Sequence, residues 1–399
     1  MKYLIIGNGI AGTTAAETIR KIDSAGEITI ITDEDLPFYY RIRLNDYIAG
    51  DVTEQELVGK KKSWYGDRNI SLHTGLRVVS GIPGDREIVT SNHLVFPYDR
   101  LLLATGSRSF IPPIAGADSQ GVFTLRNFRD AQSIIQFAGN CHTIVLIGGG
   151  LLGLETGNAL RKLGKTIQVV EFFPRLLPRQ LDIEGARRLQ ELMEGMGFTF
   201  RLAATTREIT GRDKTETVLL DNGEHLPADM VILSAGVRPN LDLASVFGLK
   251  TDKGIMVNEQ LRTNDPNIFA AGDVAQFRDI PPYGIWPAGL QQGKVAGSVM
   301  AGGDMSYSGT VPANKLKVAG IDLASAGEID VDNVYQSTII STENSYQKYV
   351  VQDHHIIGCI MVGDTADFFK TTQAIADKTD LDALQGIAAF QHPEPQANN

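Results

Sequence analysis

The chain has 399 residues, of which 43% are hydrophobic and 21% charged, with a formal net charge of −10 and a sequence pI of about 5.3. This length predicts two or three domains, and the acidic balance argues against nonspecific nucleic-acid binding. The sequence has no apolar run of roughly 18 residues to span a membrane, its first strand begins too early for a signal peptide, and its two cysteines are far apart, so we expect a cytoplasmic protein.

The amino-terminal part alternates strands with helices. The segment "YLIIG" predicts a strand, "GTTAAETIRKI" a helix and "EITIIT" a second strand. This order predicts a parallel sheet covered by helices. A further strand lies in "DRLLLATGSRSFIPPI", whose paired prolines, Pro112 and Pro113, predict a crossing between domains.

The same alternation then restarts in a second part of the chain. Its strands and helices are "TIVLIG", "LETGNALRKLG", "TIQVVE", "EGARRLQELMEGMG" and "DMVILSAGVRPN". We therefore expect an α/β fold with two Rossmann-like three-layer domains, the second inserted into the first. The first would comprise 1–111 and 240–311, and the inserted one 112–239.

The pattern of apolar and polar residues changes from Pro312 onward. The segments "NKLKVAGIDLASAGEI" and "YQKYVVQDHHIIGCIMVGD" alternate like antiparallel strands, and "TADFFKTTQAIADK" predicts a helix. These patterns predict a small α+β domain over 312–390. The polar tail 391–399 is expected to be disordered.

The first part contains a glycine-rich turn between its first strand and helix. Gly7, Gly9 and Gly12 form G-x-G-x-x-G, in which the glycines permit a tight turn, the approach of a pyrophosphate and close helix packing. The helix N-terminus offers N–H groups and partial positive charge to the phosphates. Asp33 follows Gly12 by 21 residues, where a carboxylate can bind ribose hydroxyls. Isolated glycines in plain turns are the alternative, but the strand, helix and acid favour a dinucleotide site.

A second copy of the turn occurs at Gly148, Gly150 and Gly153. Glu171 follows Gly153 by 18 residues, at the end of the next predicted strand. Two complete fingerprints in one chain indicate two dinucleotides.

With these two turns, the chain resembles the two-dinucleotide flavoprotein reductases, which include glutathione, ferredoxin and rubredoxin reductases. The segment "LLLATGSR" resembles the strand that crosses between their domains, and "NIFAAGDVA" resembles their second flavin motif. The resemblance implies that the first turn holds FAD and the second NAD(P)H. A homodimer is compatible with it.

The resemblance also implies which residues hold each cofactor. For FAD these are Gly7, Gly9, Ile10, Ala11, Gly12, Asp33, Arg41, Val78, Ala104, Thr105, Gly106, Arg108, Gly272, Asp273, Gly289 and Leu290. For NAD they are Gly148, Gly150, Leu151, Leu152, Gly153, Glu171 and Gly236. No metal site is implied.

The segment "ITDEDLPFYYRIRLNDYIAG" resembles the flavin-adjacent region of rubredoxin reductases and of the amino-terminal part of the NADH-dependent nitrite reductase large subunit. By this resemblance Asp33 holds the adenosine ribose and Arg41 contacts the cofactor. Ferredoxin-reductase relatives often carry a lysine after this arginine. Asp46 stands at that position here, so no lysine is assigned to the flavin.

The cysteines exclude part of the chemistry of these relatives. The chain lacks the C-x-x-x-x-C pair of disulfide reductases, and it has no cysteine between Asp33 and Gly50, where thiol-dependent NADH oxidases and peroxidases carry one. Cys141 and Cys359 are interpreted as packing residues. His392 is interpreted as a tail histidine, because there is no dithiol for it to serve. Two cysteines also cannot ligate the four-cysteine cluster of a full nitrite reductase.

Glu155 follows the second turn in "GLLGLE", where relatives place a glutamate near the nicotinamide, and is the candidate catalytic residue. A carboxylate stabilised by a helix dipole is an equally weighted alternative. Glu171 would repel the 2′-phosphate of NADPH, so NADH is the expected coenzyme, although Arg175 is a candidate for compensating the charge.

These observations predict an FAD-dependent NADH oxidoreductase that reduces a small iron protein such as rubredoxin. Rubredoxins are typically acidic, so docking needs a basic patch, for which the candidates are Arg41, Arg43, Lys60, Lys61, Lys62, Lys315 and Lys317. A solvated lysine run is the alternative for 60–62. Two rival functions are an NADH oxidase or diaphorase, or the reductase component of a nitrite- or nitric-oxide-reducing system. A third is a signalling flavoprotein resembling apoptosis-inducing factor.

Overall fold

The computed structural model describes residues 1–310, 313–384 and 386–390. The chain forms two compact units. The first comprises Met1–Phe110, Arg126–Ala131 and Gly236–Thr310, and the second comprises Ile111–Leu125, Gln132–Ala235 and the described residues after Thr310. The predicted tail 391–399, with His392, lies outside the described residues.

The first unit is built on a five-stranded parallel sheet. Its strands are short apolar runs such as "LLL" in Leu101–Leu103, which are buried on both faces because helices and loops cover the sheet. In spatial order the strands are Ile268–Ala270, Arg100–Leu103, Lys2–Ile6, Glu27–Ile31 and Ile70–His73.

The remaining strands of this unit form smaller sheets. A three-stranded antiparallel sheet contains Val78–Ile82, Glu87–Thr90 and Val95–Pro97. Two strand pairs join Ser107–Ser109 to Val237–Pro239 and Ile255–Val257 to Ala275–Phe277. The helices are Ile10–Ile22, Leu44–Ala49, Glu54–Leu57, Lys62–Gly66, Asp242–Val246 and Trp286–Met300, with a 3₁₀ turn at Arg41–Arg43.

The helix Trp286–Met300 packs closely against the helix that follows the first glycine turn. Two of its glycines face the backbone of that helix: a Cβ on Gly293 would lie 2.4 Å from the Ala11 carbonyl oxygen, and one on Gly297 would lie 2.5 Å from that of Ala15. Glycine at these positions lets the two backbones approach, which fixes the helix that begins at the turn.

The second unit repeats the parallel sheet. In spatial order its strands are Phe198–Arg201, Thr166–Val170, Thr143–Ile147, Met230–Leu233 and Val122–Phe123. A three-stranded antiparallel sheet contains Thr206–Thr210, Thr217–Leu220 and His225–Pro227. The helices are Leu151–Lys162 and Ile183–Gly195, and the helix Phe128–Ala138 begins in the first unit and ends in the second.

The last part of the second unit is an antiparallel sheet with one helix. Its strands, in spatial order, are Ala313–Val318, Ile321–Gly327, His355–Val362, Tyr346–Gln352 and Gln336–Ser341. The helix is Phe368–Asp377, followed by 3₁₀ turns at Leu381–Ala383 and Ala388–Phe390. Among the described residues, no helix is both long and apolar enough to cross a bilayer.

The fold class predicted from the sequence is confirmed: two parallel α/β sheets precede a small antiparallel sheet with a helix. The strand Gln336–Ser341, the two three-stranded antiparallel sheets and the outer strands of the parallel sheets were not predicted; these outer strands are Ile70–His73, Val122–Phe123, Phe198–Arg201 and Ile268–Ala270. Residues Arg126–Ala131 have their contacts in the first unit, whereas the sequence assigned them to the inserted domain, and the terminal sheet clusters with the inserted segment. The domain boundaries themselves stay predictions.

The helix contact generates a first testable expectation. Gly293→Ala places a Cβ against the Ala11 carbonyl, and overpacking of this kind costs about 1–3 kcal/mol of the free energy of unfolding. Urea unfolding followed by tryptophan fluorescence measures this, since Trp64 and Trp286 both lie in the first unit. Gly66→Ala is the matched control, because its Cβ would meet nothing within 4 Å. Equal effects of the two substitutions would contradict the packing argument.

Candidate functional site

The first glycine turn divides its three glycines between packing and access. Gly7 has φ +109°, and a Cβ there would lie 2.1 Å from the Ala104 carbonyl oxygen, while a Cβ on Gly12 would lie 2.0 Å from the Gly7 carbonyl oxygen. A Cβ on Gly9 would meet nothing within 4 Å. Gly9 is also the N-cap of its helix, so the cap residue offers no side-chain acceptor to the first N–H groups. This open, uncapped helix start fits a pyrophosphate.

The second glycine turn has the same geometry within its own unit. Gly148 has φ +114°, and its Cβ would lie 2.3 Å from the Ser234 carbonyl oxygen, while a Cβ on Gly153 would lie 2.5 Å from the Gly148 carbonyl oxygen. A Cβ on Gly150 would meet nothing within 4 Å, and this N-cap also lacks a side-chain partner. The second turn therefore fits a second pyrophosphate by the same criteria.

The carboxylates that follow the two second strands differ in environment. Asp33 lies beyond Glu27–Ile31 and is exposed. Glu171 lies beyond Thr166–Val170 and is buried, with its oxygens accepting hydrogen bonds from the backbone N–H groups of Gly149 and, at 2.8 Å, Phe173. The Glu171 side chain is thus held against the second turn by two donors from its own unit.

Arg175, the candidate for compensating a 2′-phosphate, is engaged elsewhere. Its Nη2 donates to the Pro178 carbonyl oxygen at 3.1 Å and its Nε to the Leu181 carbonyl oxygen at 3.4 Å. These bonds tie the guanidinium to its own loop.

Asp273 lies in a polar cluster that sequence reasoning did not find. Its Oδ2 accepts from the Ser107 hydroxyl at 2.9 Å and from Arg126 Nη2 at 2.6 Å. Arg126 Nε also donates to the Ser107 carbonyl oxygen at 2.8 Å. The preceding Gly272 has φ +83°, and its N–H donates to Gln292 Oε1 at 2.7 Å. Gln292, Ser107 and Arg126 together fix the backbone and the carboxylate of this motif.

Arg41 belongs to a second cluster in the same unit. It is ion-paired to Glu34, which also accepts from the Tyr39 hydroxyl, and Arg41 Nη1 donates to the Arg126 carbonyl oxygen at 3.2 Å. Tyr39 Oη in turn accepts from the Phe128 N–H at 3.2 Å, and burial raises the pKa of Tyr39. Arg41 is therefore a half-buried, paired cation.

The structure brings other predicted flavin residues around the first turn. Ala104 packs against Gly7, and a Cβ on Gly289 would lie 2.9 Å from Ile10 Cγ2. The remaining positions are spread from core to surface: Ala11 and Val78 are buried, Thr105 and Gly106 are half-buried, and Leu290 and Arg108 are exposed, the last beside Asp242. Their cofactor roles stay predictions.

Four further residues were predicted on the nucleotide side. Leu151 and Leu152 begin the helix after the second turn, where Leu152 is exposed. Glu155 lies one helical turn on, and its Oε1 accepts from the Ala319 N–H at 3.1 Å. Gly236 lies in the first unit, where its carbonyl oxygen accepts from the Phe110 N–H at 2.9 Å.

The two cysteines are buried, as the sequence predicted. Burial raises the pKa of Cys141, and it raises the pKa of Cys359 to about 12. Both are therefore thiols at neutral pH and do not provide a thiolate nucleophile.

The candidate docking cations have varied surroundings. Lys60 Nζ lies 4.7 Å from the Trp64 ring centroid, and Lys61 and Lys62 are exposed. Lys315 Nζ lies 4.8 Å from the Phe369 ring centroid. The other members carry acidic partners: Arg43 pairs with Asp46 at 3.2 Å and Lys317 with Asp322 at 3.8 Å. Arg41, as described above, is paired and half-buried, which disfavours a docking role for it.

One group of described side chains has ligand atoms close enough for a metal ion. These are His354, Asp380 and Asp382, whose ligand atoms all lie within 4.8 Å of one another. All three are exposed, and exposed acidic groups commonly gather without an ion, so we assign no metal to them.

Comparison with known proteins agrees with this geometry. Residues 1–298 match the pyridine nucleotide-disulphide oxidoreductase family, and residues 312–379 match the rubredoxin NAD⁺ reductase C-terminal domain. The NADH-rubredoxin oxidoreductase of Clostridium acetobutylicum is 30% identical over 392 residues, which is 98% of either protein. The solved structure of the NADH:rubredoxin oxidoreductase from that organism aligns with a TM-score of 0.83 and 29% identity, over 98% of both chains.

The chain also matches one half of a longer protein. The NAD(P)H nitrite reductase of Bacillus subtilis (strain 168) is 33% identical over 394 residues, which is 98% of this chain. That match covers 49% of the nitrite reductase, so the chain spans about half the length of this relative.

The Asp273 cluster generates a prediction for Arg126. Arg126→Met removes the cation from a half-buried carboxylate, and losing a charged hydrogen bond of this kind costs about 2 kcal/mol. We expect FAD affinity to fall by about tenfold or more, measured as FAD released on dilution. The matched control is Arg129→Met in the same segment, whose pair with Asp35 is exposed and should contribute little. Equal loss of FAD from the two variants would contradict the role of Arg126 in holding Asp273 for the flavin.

Proposed function

Because the chain belongs to the pyridine nucleotide-disulphide oxidoreductase family, we propose that it is an FAD-dependent NADH oxidoreductase that reduces a small iron protein such as rubredoxin. The observation that carries this proposal is the paired geometry of the two glycine turns. Each has two glycines packed against backbone and one open to a ligand, at a helix start without a side-chain cap.

The first turn would hold FAD. Gly9 offers the pyrophosphate an open backbone, Asp33 offers its carboxylate to the ribose, and Asp273 accepts hydroxyl groups while Arg126 and Ser107 keep its carboxylate in place. Bound FAD would supply an acceptor for two electrons from NADH and a donor of single electrons to an iron centre.

The second turn would hold NADH. Gly150 offers its backbone to the pyrophosphate, and Glu171 offers carboxylate oxygens to the 2′- and 3′-hydroxyls of the adenosine ribose. A 2′-phosphate would meet this buried negative charge while Arg175 is held by its own loop. These contacts favour NADH over NADPH.

Two observations support an iron-protein acceptor, one from the cysteines and one from the carboxyl-terminal residues. The chain has only two cysteines, and both are buried thiols, so electrons leave without the disulfide that serves glutathione reductase. The carboxyl-terminal residues match a domain that is described for rubredoxin reductases. A purified clostridial rubredoxin is therefore the first acceptor to test.

A second candidate function is the reductase component of a nitrite-reducing system. It is favoured by the match to one half of the Bacillus nitrite reductase over nearly the whole of this chain. In that case NADH would reduce the same flavin, and the acceptor would be the nitrite-reducing centre of that system.

The coenzyme preference is tested by Glu171. A like-charge contact at 4 Å and an effective dielectric of about 20 costs about 4 kcal/mol, so we expect kcat/KM for NADH to exceed that for NADPH by about 100-fold or more. Glu171→Gln should narrow this ratio, whereas Glu194→Gln, on the exposed surface of the same unit, should not. Comparable kcat/KM values for the two coenzymes in the unaltered protein would refute the NADH preference.

The acceptor is tested by single-turnover reoxidation of the NADH-reduced protein. We expect rubredoxin to reoxidise it at least about 100-fold faster than air-saturated buffer, and the rate to fall as salt rises if docking is electrostatic. Two double variants, one with Lys315 and Lys317 replaced by glutamine and one with Lys60 and Lys61 replaced by glutamine, identify which basic group contributes to the reoxidation rate.

The matched control for these pairs is a double substitution of Lys250 and Lys253 by glutamine, which makes the same charge change on another exposed loop. A rate that is indifferent to salt and to all three pairs would argue against a basic docking surface. Faster reaction with oxygen than with rubredoxin would favour the oxidase alternative.

A further inference from the structure

A hairpin of the carboxyl-terminal sheet reaches the helix of the second glycine turn. Strand Ala313–Val318 is joined to strand Ile321–Gly327 by Ala319 and Gly320, with φ of +53° and +89°. Two such residues are typical of the type I′ turn. At this tip Val318 and Ala319 are buried, at 0% and 6% exposure, whereas Gly320 is exposed. Its Ala319 N–H donates to Glu155 Oε1 at 3.1 Å.

The sheet that carries this hairpin is fastened to the same unit at a second place. The Tyr346 hydroxyl donates to Asp182 Oδ2 at 2.7 Å, and Lys348 Nζ lies 3.4 Å from the same oxygen. Asp182 Oδ1 is the N-cap acceptor for Gly185 of the helix Ile183–Gly195. The sheet is therefore bonded to the starts of two helices, those that contain Glu155 and Gly185.

Lys348 makes the second attachment rigid. Its side chain is 1% exposed, and its ammonium also donates to the Asp330 carbonyl oxygen at 2.7 Å and to Asn333 Oδ1 at 3.2 Å. A buried charge that loses a partner costs several kcal/mol, so this network has one strongly preferred arrangement. The hairpin tip is consequently a fixed point from which the Ala319 N–H is presented.

We propose that the carboxyl-terminal sheet positions Glu155, with the Ala319 N–H fixing the rotamer of its carboxylate on the nicotinamide side of the site. This inference rests on the proposed function, in which Glu155 is the nicotinamide-proximal residue. A carboxylate with one oxygen bound to a rigid donor keeps a single orientation, and preorganisation of this kind is how a supporting shell speeds a reaction. Ala319 is thus a positioning residue that acts through Glu155.

A purely structural role for the contact makes a different prediction. If the hydrogen bond only stabilised the fold, removing it would lower the unfolding temperature and leave the single-turnover rate unchanged. If it positions Glu155, removing it lowers the rate with little effect on coenzyme affinity, and the loss disappears once Glu155 itself is gone.

The contact is tested first by amide hydrogen exchange of the holoprotein. Glu155→Ala should speed exchange at the Ala319 amide by about tenfold, because a hydrogen bond to a charged acceptor is lost. Glu155→Gln keeps an acceptor oxygen and should restore most of the protection. Asn158→Ala, one turn along the same helix, is the matched control and should leave exchange unchanged. Unchanged exchange in Glu155→Ala would overturn the proposal.

The positioning role is tested by stopped-flow bleaching of the flavin with NADH. Gly320→Ala strains the hairpin tip, and we expect the limiting rate to fall about fivefold at nearly constant apparent Kd. Gly223→Ala is the matched control: Gly223 lies in another hairpin turn with φ +88°, and a Cβ at either glycine meets nothing within 4 Å. Adding Gly320→Ala to Glu155→Ala should lower the rate no further.

The outcomes distinguish the positioning role of Ala319 from the proposed function. Equal rates for Gly320→Ala and Gly223→Ala, or additive losses in the double variant, would overturn the positioning role while leaving the oxidoreductase proposal intact. Failure of NADH to bleach the flavin of the unaltered protein would instead sink the proposed function, and the exchange measurement would still report whether Ala319 holds Glu155.

Discussion

A dinucleotide phosphate can approach the backbone only where no Cβ stands in the way, and this chain meets that steric condition twice. In each glycine turn the first and third glycines are required for packing within the protein, because a Cβ on either would lie 2.0 to 2.5 Å from a backbone carbonyl oxygen. The middle glycine alone faces open space, at Gly9 and Gly150. The spacing of the motif therefore encodes two different requirements, close packing of strand on helix and access for a ligand.

Two of the carboxylates around the turns, Asp273 and Glu171, are held by donors from their own unit. Asp273 is bonded to Ser107 and Arg126, and Glu171 to the N–H groups beside it. A carboxylate that is already oriented loses little side-chain entropy when a hydroxyl group binds. Asp33 differs because it is exposed, so its orientation depends more on the ligand.

The sequence predicts the three central strands of each parallel sheet because they are apolar runs, one of which in each sheet leads into a glycine-rich turn, and both signals are local. The strand Gln336–Ser341 escaped prediction because it is largely exposed and gives no apolar run. Arg126 escaped because its partner Asp273 is 147 residues away and no motif surrounds it. The Glu155 contact was not predicted either, because its donor is the backbone N–H of a distant residue, which no side-chain pattern reveals. Arg41 was expected at the cofactor and on a docking surface, and its pair with Glu34 disfavours the second role.

Membership of a disulphide oxidoreductase family does not bring disulphide chemistry to this chain. A thiol relay requires a thiolate near neutral pH, and burial raises the pKa of Cys359 to about 12 while Cys141 is likewise raised. Neither cysteine lies between Asp33 and Gly50, where thiol-dependent relatives carry theirs. In the proposed function, electrons from NADH bound at the second glycine turn would therefore leave the flavin without a covalent thiol carrier. Selectivity for the acceptor would then depend on surface charge and shape. The chain matches an NADH-rubredoxin oxidoreductase over 98% of its length and also matches about half of a longer nitrite reductase, so the two parallel sheets do not by themselves distinguish one acceptor from the other.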